Sequence, residues 1–270
     1  MTASPTPSHS GTLYQPGASF LHRLHPLTKL TFSLCALVVI FSGPGGWLSA
    51  LLPGLLALSL LWRAGLGRLA ARLSFRLLAW LAVIMFGIHG FFGPDNQTIL
   101  FNLGPLEVGQ EGIEFAFLIT IRLAAMLLVS LTLVLTTHPS HLVQALTEFG
   151  LPGGLAYLLG SPLLLLPQMV VRAQAIHAVQ QARGLETQGN LLQRMRALFP
   201  LVAPLVFSTL VDVEERSLAL EVRGFSAPTR KTFLNELVDT RSQRLARRGL
   251  IALSIVTFLL GVGWRLYASS

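Results

Sequence analysis

One stretch limits what this chain can fold into more than any other. It is Ile113–Thr137, IEFAFLITIRLAAMLLVSLTLVLTT, twenty-five residues with two charges. A helix needs about 20 apolar residues to cross the hydrocarbon of a bilayer, and a soluble core has no place for a run this long. Phe75–Phe92 and Gly249–Tyr267 are two more stretches of the same kind. Composition agrees, with 52% of the 270 residues hydrophobic and 12% charged, where a soluble domain carries about 25% charged residues. The fold class this predicts is all-α, a polytopic membrane protein, because a helix satisfies its own backbone in lipid.

Two earlier apolar stretches, Thr28–Phe41 and Trp47–Trp62, are short for spans and are separated by SGPGG. They read as two tilted spans in a tight hairpin, with a re-entrant segment as the alternative, which makes about five transmembrane helices. Residues 1–26 read as a flexible leader, Pro/Ser/Gly-rich at their start and without the charged n-region of a signal peptide. Residues 27–137 carry the first four spans, and residues 249–270 the last span with a short outer tail.

Orientation follows from Lys and Arg, which are enriched in cytoplasmic loops. Arg23 and Lys29 mark the leader end, and Arg63, Arg68, Arg72 and Arg76 follow the second span. The loops at 43–46 and 93–111 have no Lys or Arg, and the second carries Asp95, Glu107 and Glu111. This alternation places the N-terminus and the segment after Thr137 inside and the C-terminus outside. The net charge of +8 therefore reports topology and contact with anionic lipid; nucleic acid is a poor reading. Cys35 is the single cysteine and reads as a packing residue, since no disulfide framework exists.

Residues 138–248 differ in kind. They hold prolines at 139, 152, 162, 167, 200 and 204, among others, and most of the chain's charges. The stretch 141–149 has helical periodicity, and so does 167–184, where Met169, Ala173, Ile176, Val179 and Arg183 share a stripe. A third helix is expected from about Leu205 to Arg223, with Asp212 and Arg216 four apart and able to pair. The reading is a domain of amphipathic helices on the cytoplasmic face, with Leu151–Val171 apolar enough to lie along the membrane. Two of its helices end alike, in Ala182-Arg183-Gly184 and in Glu221-Val222-Arg223-Gly224. Gly past a helix end and Arg in its last turn are ordinary capping chemistry. Two such ends on consecutive long helices also suit guanidiniums that fit grooves of a partner protein.

The sequence FLHRLHPLTKL (20–30) resembles the Leu-His-Arg-Leu-Asp-Pro-x-x-Lys segment of the transmembrane T component of energy-coupling factor (ECF) transporters, the EcfT/CbiQ family. TTHPSHLVQALTEFGLP (136–152) looks like that family's Thr-Thr-x-Pro-x-x-Leu-x-x-Ala-Leu-x-x-x-Gly-Leu-Pro segment. ARG at 182–184 and ALEVRGF at 219–225 are similar to its two Arg-Gly signatures. Two positions depart from the pattern: His25 stands where Asp is common, and Leu220 where Met is common. The resemblance implies a scaffold whose long coupling helices cross, their Arg-Gly ends seated in two cytoplasmic ABC-type ATPases. Ala182, Arg183, Gly184, Glu221, Arg223 and Gly224 are the coupling residues it implies. A separate substrate-binding membrane S component would carry the substrate, a vitamin or a transition-metal ion such as cobalt or nickel. It implies the plasma membrane of a prokaryote as the location.

No Gly-x-x-x-x-Gly-Lys-Ser/Thr phosphate loop occurs, and Lys29 and Lys231 are the only lysines. The chain therefore supplies no ATP site and is not expected to be an enzyme or to hold a cofactor. The alternative is an ion-coupled secondary transporter acting alone, which would bury ionisable groups in its spans. Glu114 and Arg122 are the intramembrane candidates, and snorkelling or pairing with a neighbouring helix accounts for them. The pairs His22/His25 and His138/His141 have i, i+3 spacing, but no Cys, Asp or Glu completes a metal site.

Overall fold

The computed structural model describes residues 14–15, 17, 19–43, 46–92, 98–103, 106–185, 190–227 and 237–269. Residues 1–13 of the expected leader, Asp95 of the expected outer loop and Lys231 lie outside these. Nine helices and one hairpin are described: α1 (Phe20–Arg23), α2 (Pro26–Ser42), α3 (Trp47–Arg63), α4 (Gly67–Phe92), β1 (Ile99–Leu103), β2 (Leu106–Gly109), α5 (Gln110–Thr136), α6 (Pro139–Glu148), α7 (Gly153–Ala182), α8 (Leu191–Val222) and α9 (Arg241–Ser269). The architecture is an all-α polytopic membrane protein. Its one addition is the antiparallel hairpin, which pairs Phe101 with Val108 and Leu103 with Leu106 where only a loop was expected.

Four of the described helices are long and apolar enough to cross a membrane: Gly67–Phe91, Gln110–Thr136, Gly153–Ala182 and Arg241–Trp264. Helices α2 and α3 are shorter, at 17 residues each, or about 25 Å at 1.5 Å per residue. The helix Gly153–Ala182 falls inside the segment expected on the cytoplasmic face. It also begins fourteen residues before Pro167, where the periodic stretch was expected to start. Likewise α8 starts at Leu191 instead of about Leu205. The prolines misled: each removes one i→i−4 hydrogen bond, yet Pro162, Pro167, Pro200 and Pro204 all lie inside continuous helices. Leucine-rich flanks such as LLLL at 163–166 are strong helix formers and carry the helix across the missing bonds.

The chain divides into two compact units. The first runs through residues 149–236 and holds α7 and α8. The second is the remaining helical bundle, residues 13–148 and 237–270.

Inside the bundle, small residues form many of the contacts. Ala36, Ile40, Ala50, Ala57, Ala125 and Val129 make one buried cluster, and Leu61, Ala70, Leu131 and Leu135 a second. Many large side chains point outward, Leu52, Leu77, Trp80 and Leu253 among them, while Ile40, Leu61 and Leu135 are buried. Lipid is as apolar as leucine, so helices in a membrane associate through close packing and not through burial of bulk. Gly54 on α3 shows how close: a Cβ there would lie 3.0 Å from the Ala125 Cβ and 3.2 Å from its Cα.

The contacts also set helix directions. His25 N–H at the start of α2 donates to Gln243 Oε1 near the start of α9, and a Cβ on Gly261 would overlap the Ser42 carbonyl at the far end. So α2 and α9 run parallel. Lys29 Nζ, buried, donates to the Thr136 carbonyl at 2.8 Å, joining the beginning of α2 to the end of α5. His89 of α4 lies 5.0 Å from Phe115 of α5, centroid to centroid, while Ala70 joins the Leu131/Leu135 cluster, so α4 and α5 are antiparallel. Helices α2, α4 and α9 therefore point one way, and α3 and α5 the other.

Candidate functional site

Both Arg-Gly ends are built the same way. Helix α7 ends at Ala182, Arg183 is its C-cap, and Gly184 turns left-handed at φ +87°. Leu185 N–H donates to the Gln180 carbonyl at 3.0 Å, and Gly184 N–H to Gln181 at 3.0 Å. Helix α8 repeats this with Gly224 at φ +66°, where Phe225 N–H donates to Leu220 and Gly224 N–H to Glu221, both at 2.9 Å. A 6→1 bond paired with a 5→2 bond around a left-handed glycine is the Schellman motif. The motif explains each glycine, since a Cβ is disfavoured there. It uses only the backbone of the arginines.

Ala182, Arg183, Gly184, Glu221, Arg223 and Gly224 are all exposed. Among the described residues neither the Arg183 nor the Arg223 guanidinium has a hydrogen-bond or ion-pair partner. Each is a five-donor fork at the tip of a long helix.

Helices α7 and α8 are tied as an antiparallel pair. Tyr157 packs edge-on against Phe225 with centroids 5.5 Å apart. Arg216 donates to Gln168 Oε1 at 3.1 Å and Arg172 to Asp212 Oδ2 at 2.6 Å. Gln180 Nε2 reaches the Pro200 carbonyl at 3.4 Å. The Arg-Gly signatures consequently sit at opposite ends of the pair. The 23-residue offset from Tyr157–Phe225 to Gln180–Pro200 puts them roughly 35 Å apart at 1.5 Å per residue. Asp212 is spaced to be able to pair with Arg216 along its own helix. It takes Arg172 instead, because a partner on the facing helix lies in a half-buried seam where the pair is shielded from water, whereas an i, i+4 pair stays at the surface.

The other candidates resolve differently. Glu114 accepts from Gln110 Nε2 at 2.8 Å at the exposed start of α5, and the buried Arg122 Nε has no hydrogen-bond partner among the described residues. His22 bonds Ser19 and the Gln15 carbonyl, and His138 bonds Ser140. Cys35 is buried and free in α2. His25 caps α2: its Nδ1 accepts from Leu27 N–H at 3.2 Å, with Pro26 as the first helical residue. An acceptor is what Asp would supply there, so the departure from the common pattern keeps the cap.

Residues 17–233 match the family described as CbiQ, cobalt transport protein. The energy-coupling factor transporter transmembrane protein EcfT of Brevibacillus brevis is 30% identical, over 93% of this chain and 96% of the relative. The protein of that name from Acidaminococcus fermentans is 28% identical over 93% and 95%, and that from Bacillus subtilis 27% over 92% and 96%. The chain belongs to the CbiQ family and is a multi-pass transmembrane T component of an energy-coupling factor transporter.

Proposed function

We propose that this T component is a non-catalytic scaffold that couples two cytoplasmic ABC-type ATPases to a substrate-binding S component, for uptake of a vitamin or a transition-metal ion. The observation that carries this reading is the pair of matching Schellman ends with unpartnered arginines at opposite ends of the α7–α8 pair. Two equivalent tips suit two ATPase subunits, one groove for each. Arg183 and Arg223 are the anchors, and Ala182, Gly184, Glu221 and Gly224 shape the tips around them. Closure of the ATPases would draw the tips together and move α7 and α8 against the S component. Residues 138–248 act as the coupling domain in this reading, with the N-terminus inside and the C-terminus outside the plasma membrane of a prokaryote. The parallel course of α2 and α9 supports the last point, because both begin on the side marked by the arginines of the chain.

The test is the double substitution Arg183→Glu/Arg223→Glu, with Arg248→Glu, an exposed arginine of α9, as control. Truncating a buried charged contact at an interface typically lowers affinity by roughly 30-fold or more. The double variant should insert and fold yet release the ATPases and lose uptake, while the control keeps both. Full ATPase binding and uptake in the double variant would refute the coupling role.

A further inference from the structure

Four arginines have no part in that coupling. Arg63 closes α3, and Arg68, Arg72 and Arg76 recur at four-residue spacing on α4. All four are exposed, and among the described residues none has a hydrogen bond or ion pair through its side chain. The sequence denies them local partners: Asp95 is the first acidic residue of the chain, and α4 has no Asp or Glu over its 26 residues.

Their placement is ordered. At 100° per residue, Arg68, Arg72, Phe75, Arg76, Trp80 and Val83 fall within an arc of about 140°, and all six are exposed. Ala70 and Ser74 lie off this arc and are buried. The ridge is thus cationic for its first two turns and apolar beyond. Trp62 lies across its foot, close enough that a Cβ on Gly67 would meet the indole at 2.6 Å. Phe75 (77% exposed) and Trp80 (72%) flank its upper end. From Arg68 to Arg76 the helix climbs about 12 Å, enough to pass through a headgroup layer ~5–8 Å deep on each side of the hydrocarbon.

We propose that this ridge is a binding site for anionic phospholipid. Lipid phosphates bridge Arg68, Arg72 and Arg76, and the acyl chains run along Trp80 and Val83. A guanidinium holds a phosphate in bidentate geometry, and exposed Trp beside Arg is the composition of a membrane interface. An acidic protein surface would match the arginines but not the aromatic and aliphatic side chains that continue the same face into the membrane.

The chain is reconstituted in nanodiscs of phosphatidylcholine with a minor share of phosphatidylglycerol, and retained lipid is counted by native mass spectrometry. Wild type should retain the anionic lipid in excess of its share. Arg68→Gln/Arg72→Gln/Arg76→Gln should abolish the excess, and Arg72→Gln alone, the variant to use if the triple fails to fold, should reduce it by roughly five-fold. Arg183→Gln/Arg223→Gln, which removes charge elsewhere, should keep it, and inorganic phosphate at millimolar concentration should not displace it. Unchanged retention in the α4 variants, equal loss in the charge control, or displacement by phosphate would overturn the site. So would loss of a partner subunit from the α4 variants when purified as the assembled transporter, with lipid retention intact.

Discussion

Arg172 on α7 donates to Asp212 on α8 at 2.6 Å, and the same guanidinium nitrogen lies 3.4 Å from Ser208 Oγ. The same two helices expose large apolar side chains such as Leu164, Val171 and Leu210. Arg172 stands eleven residues before Arg183 and so falls on the same face of α7. The contact makes it an ion-paired clasp of the α7–α8 pair, beside Arg216–Gln168 and Gln180–Pro200.

Arg172→Ala and Asp212→Ala should each loosen that pair, and the double variant should cost less than the sum of the two. A partly exposed pair of this kind is worth about 1 kcal/mol. Thermal unfolding in detergent measures it, and Arg172→Asp/Asp212→Arg should recover part of the loss. Additive effects of the two alanines would mean the clasp carries no coupling energy.

Gly54 and Ala125 lead to a second prediction. With 3.0 Å between a new Cβ and the Ala125 Cβ, Gly54→Ala asks the helices to part by tenths of an ångström. Gly54→Val asks for more and should cost about 1–3 kcal/mol by overpacking. Ala125→Gly should partly rescue Gly54→Ala in thermal stability. An undiminished melting temperature for Gly54→Val would show that α3 and α5 do not pack this closely.

The three long spans at Phe75–Phe92, Ile113–Thr137 and Gly249–Tyr267 were legible because hydropathy over twenty residues is a strong signal, and the glycines of both Arg-Gly ends were legible because a helix end needs a left-handed residue. The extent of α7 and α8 was not. The expected helices start at Pro167 and about Leu205, just past Pro204, and nothing in local spacing reveals that flanking leucines hold each helix through its prolines. The Arg172–Asp212 pair was equally hidden: forty residues separate the partners, and the nearer Arg216 satisfied the local rule. The cap made by His25 was masked by its departure from the common aspartate.

His25 should make stability depend on pH. Burial pushes its imidazole below the ordinary 6.5; Asp239 opposes this, Arg247 reinforces it, and Glu148 opposes it. The folded protein therefore favours the neutral ring, whose Nδ1 must be unprotonated to accept from Leu27 N–H. Its stabilisation is complete above about pH 6.5 and is lost as pH falls through the lower folded value. His25→Asn keeps an acceptor without titrating, so its melting temperature should fall less than that of wild type on acidification. Parallel curves would exclude His25 as the titrating group.

Helix α7 is apolar enough to cross a membrane, so its placement calls for a direct measurement. Single cysteines at Asn96, Thr187 and Ser270, in a Cys35→Ala background, can be probed with an impermeant thiol reagent on right-side-out vesicles. Labelling at 96 and 270 but not at 187 is expected if α7 returns to the cytoplasmic side. Labelling at 187 would mean that α7 spans, and would put Arg183 out of reach of any cytoplasmic ATPase.

The two components of each Arg-Gly end can be separated. Gly184 and Gly224 have φ of +87° and +66°, where alanine is disfavoured by roughly 1 kcal/mol. Gly184→Ala and Gly224→Ala should fray the last turn of α7 and α8 while leaving both guanidiniums in place. Arg183→Ala and Arg223→Ala should do the reverse, because the Schellman bonds run through the backbone. Hydrogen exchange at Gly184, Leu185, Gly224 and Phe225 reads the cap, and co-purification of the ATPases reads the contact. If the arginines act only as favourable charges at helix ends, both sets of variants should speed exchange and neither should release a subunit. If they are anchors, the arginine variants should leave exchange unchanged and release the ATPases, and the glycine variants should speed exchange with a smaller loss of binding. Fast exchange with intact ATPase binding in Arg183→Ala/Arg223→Ala would reduce the two arginines to parts of a helix terminus.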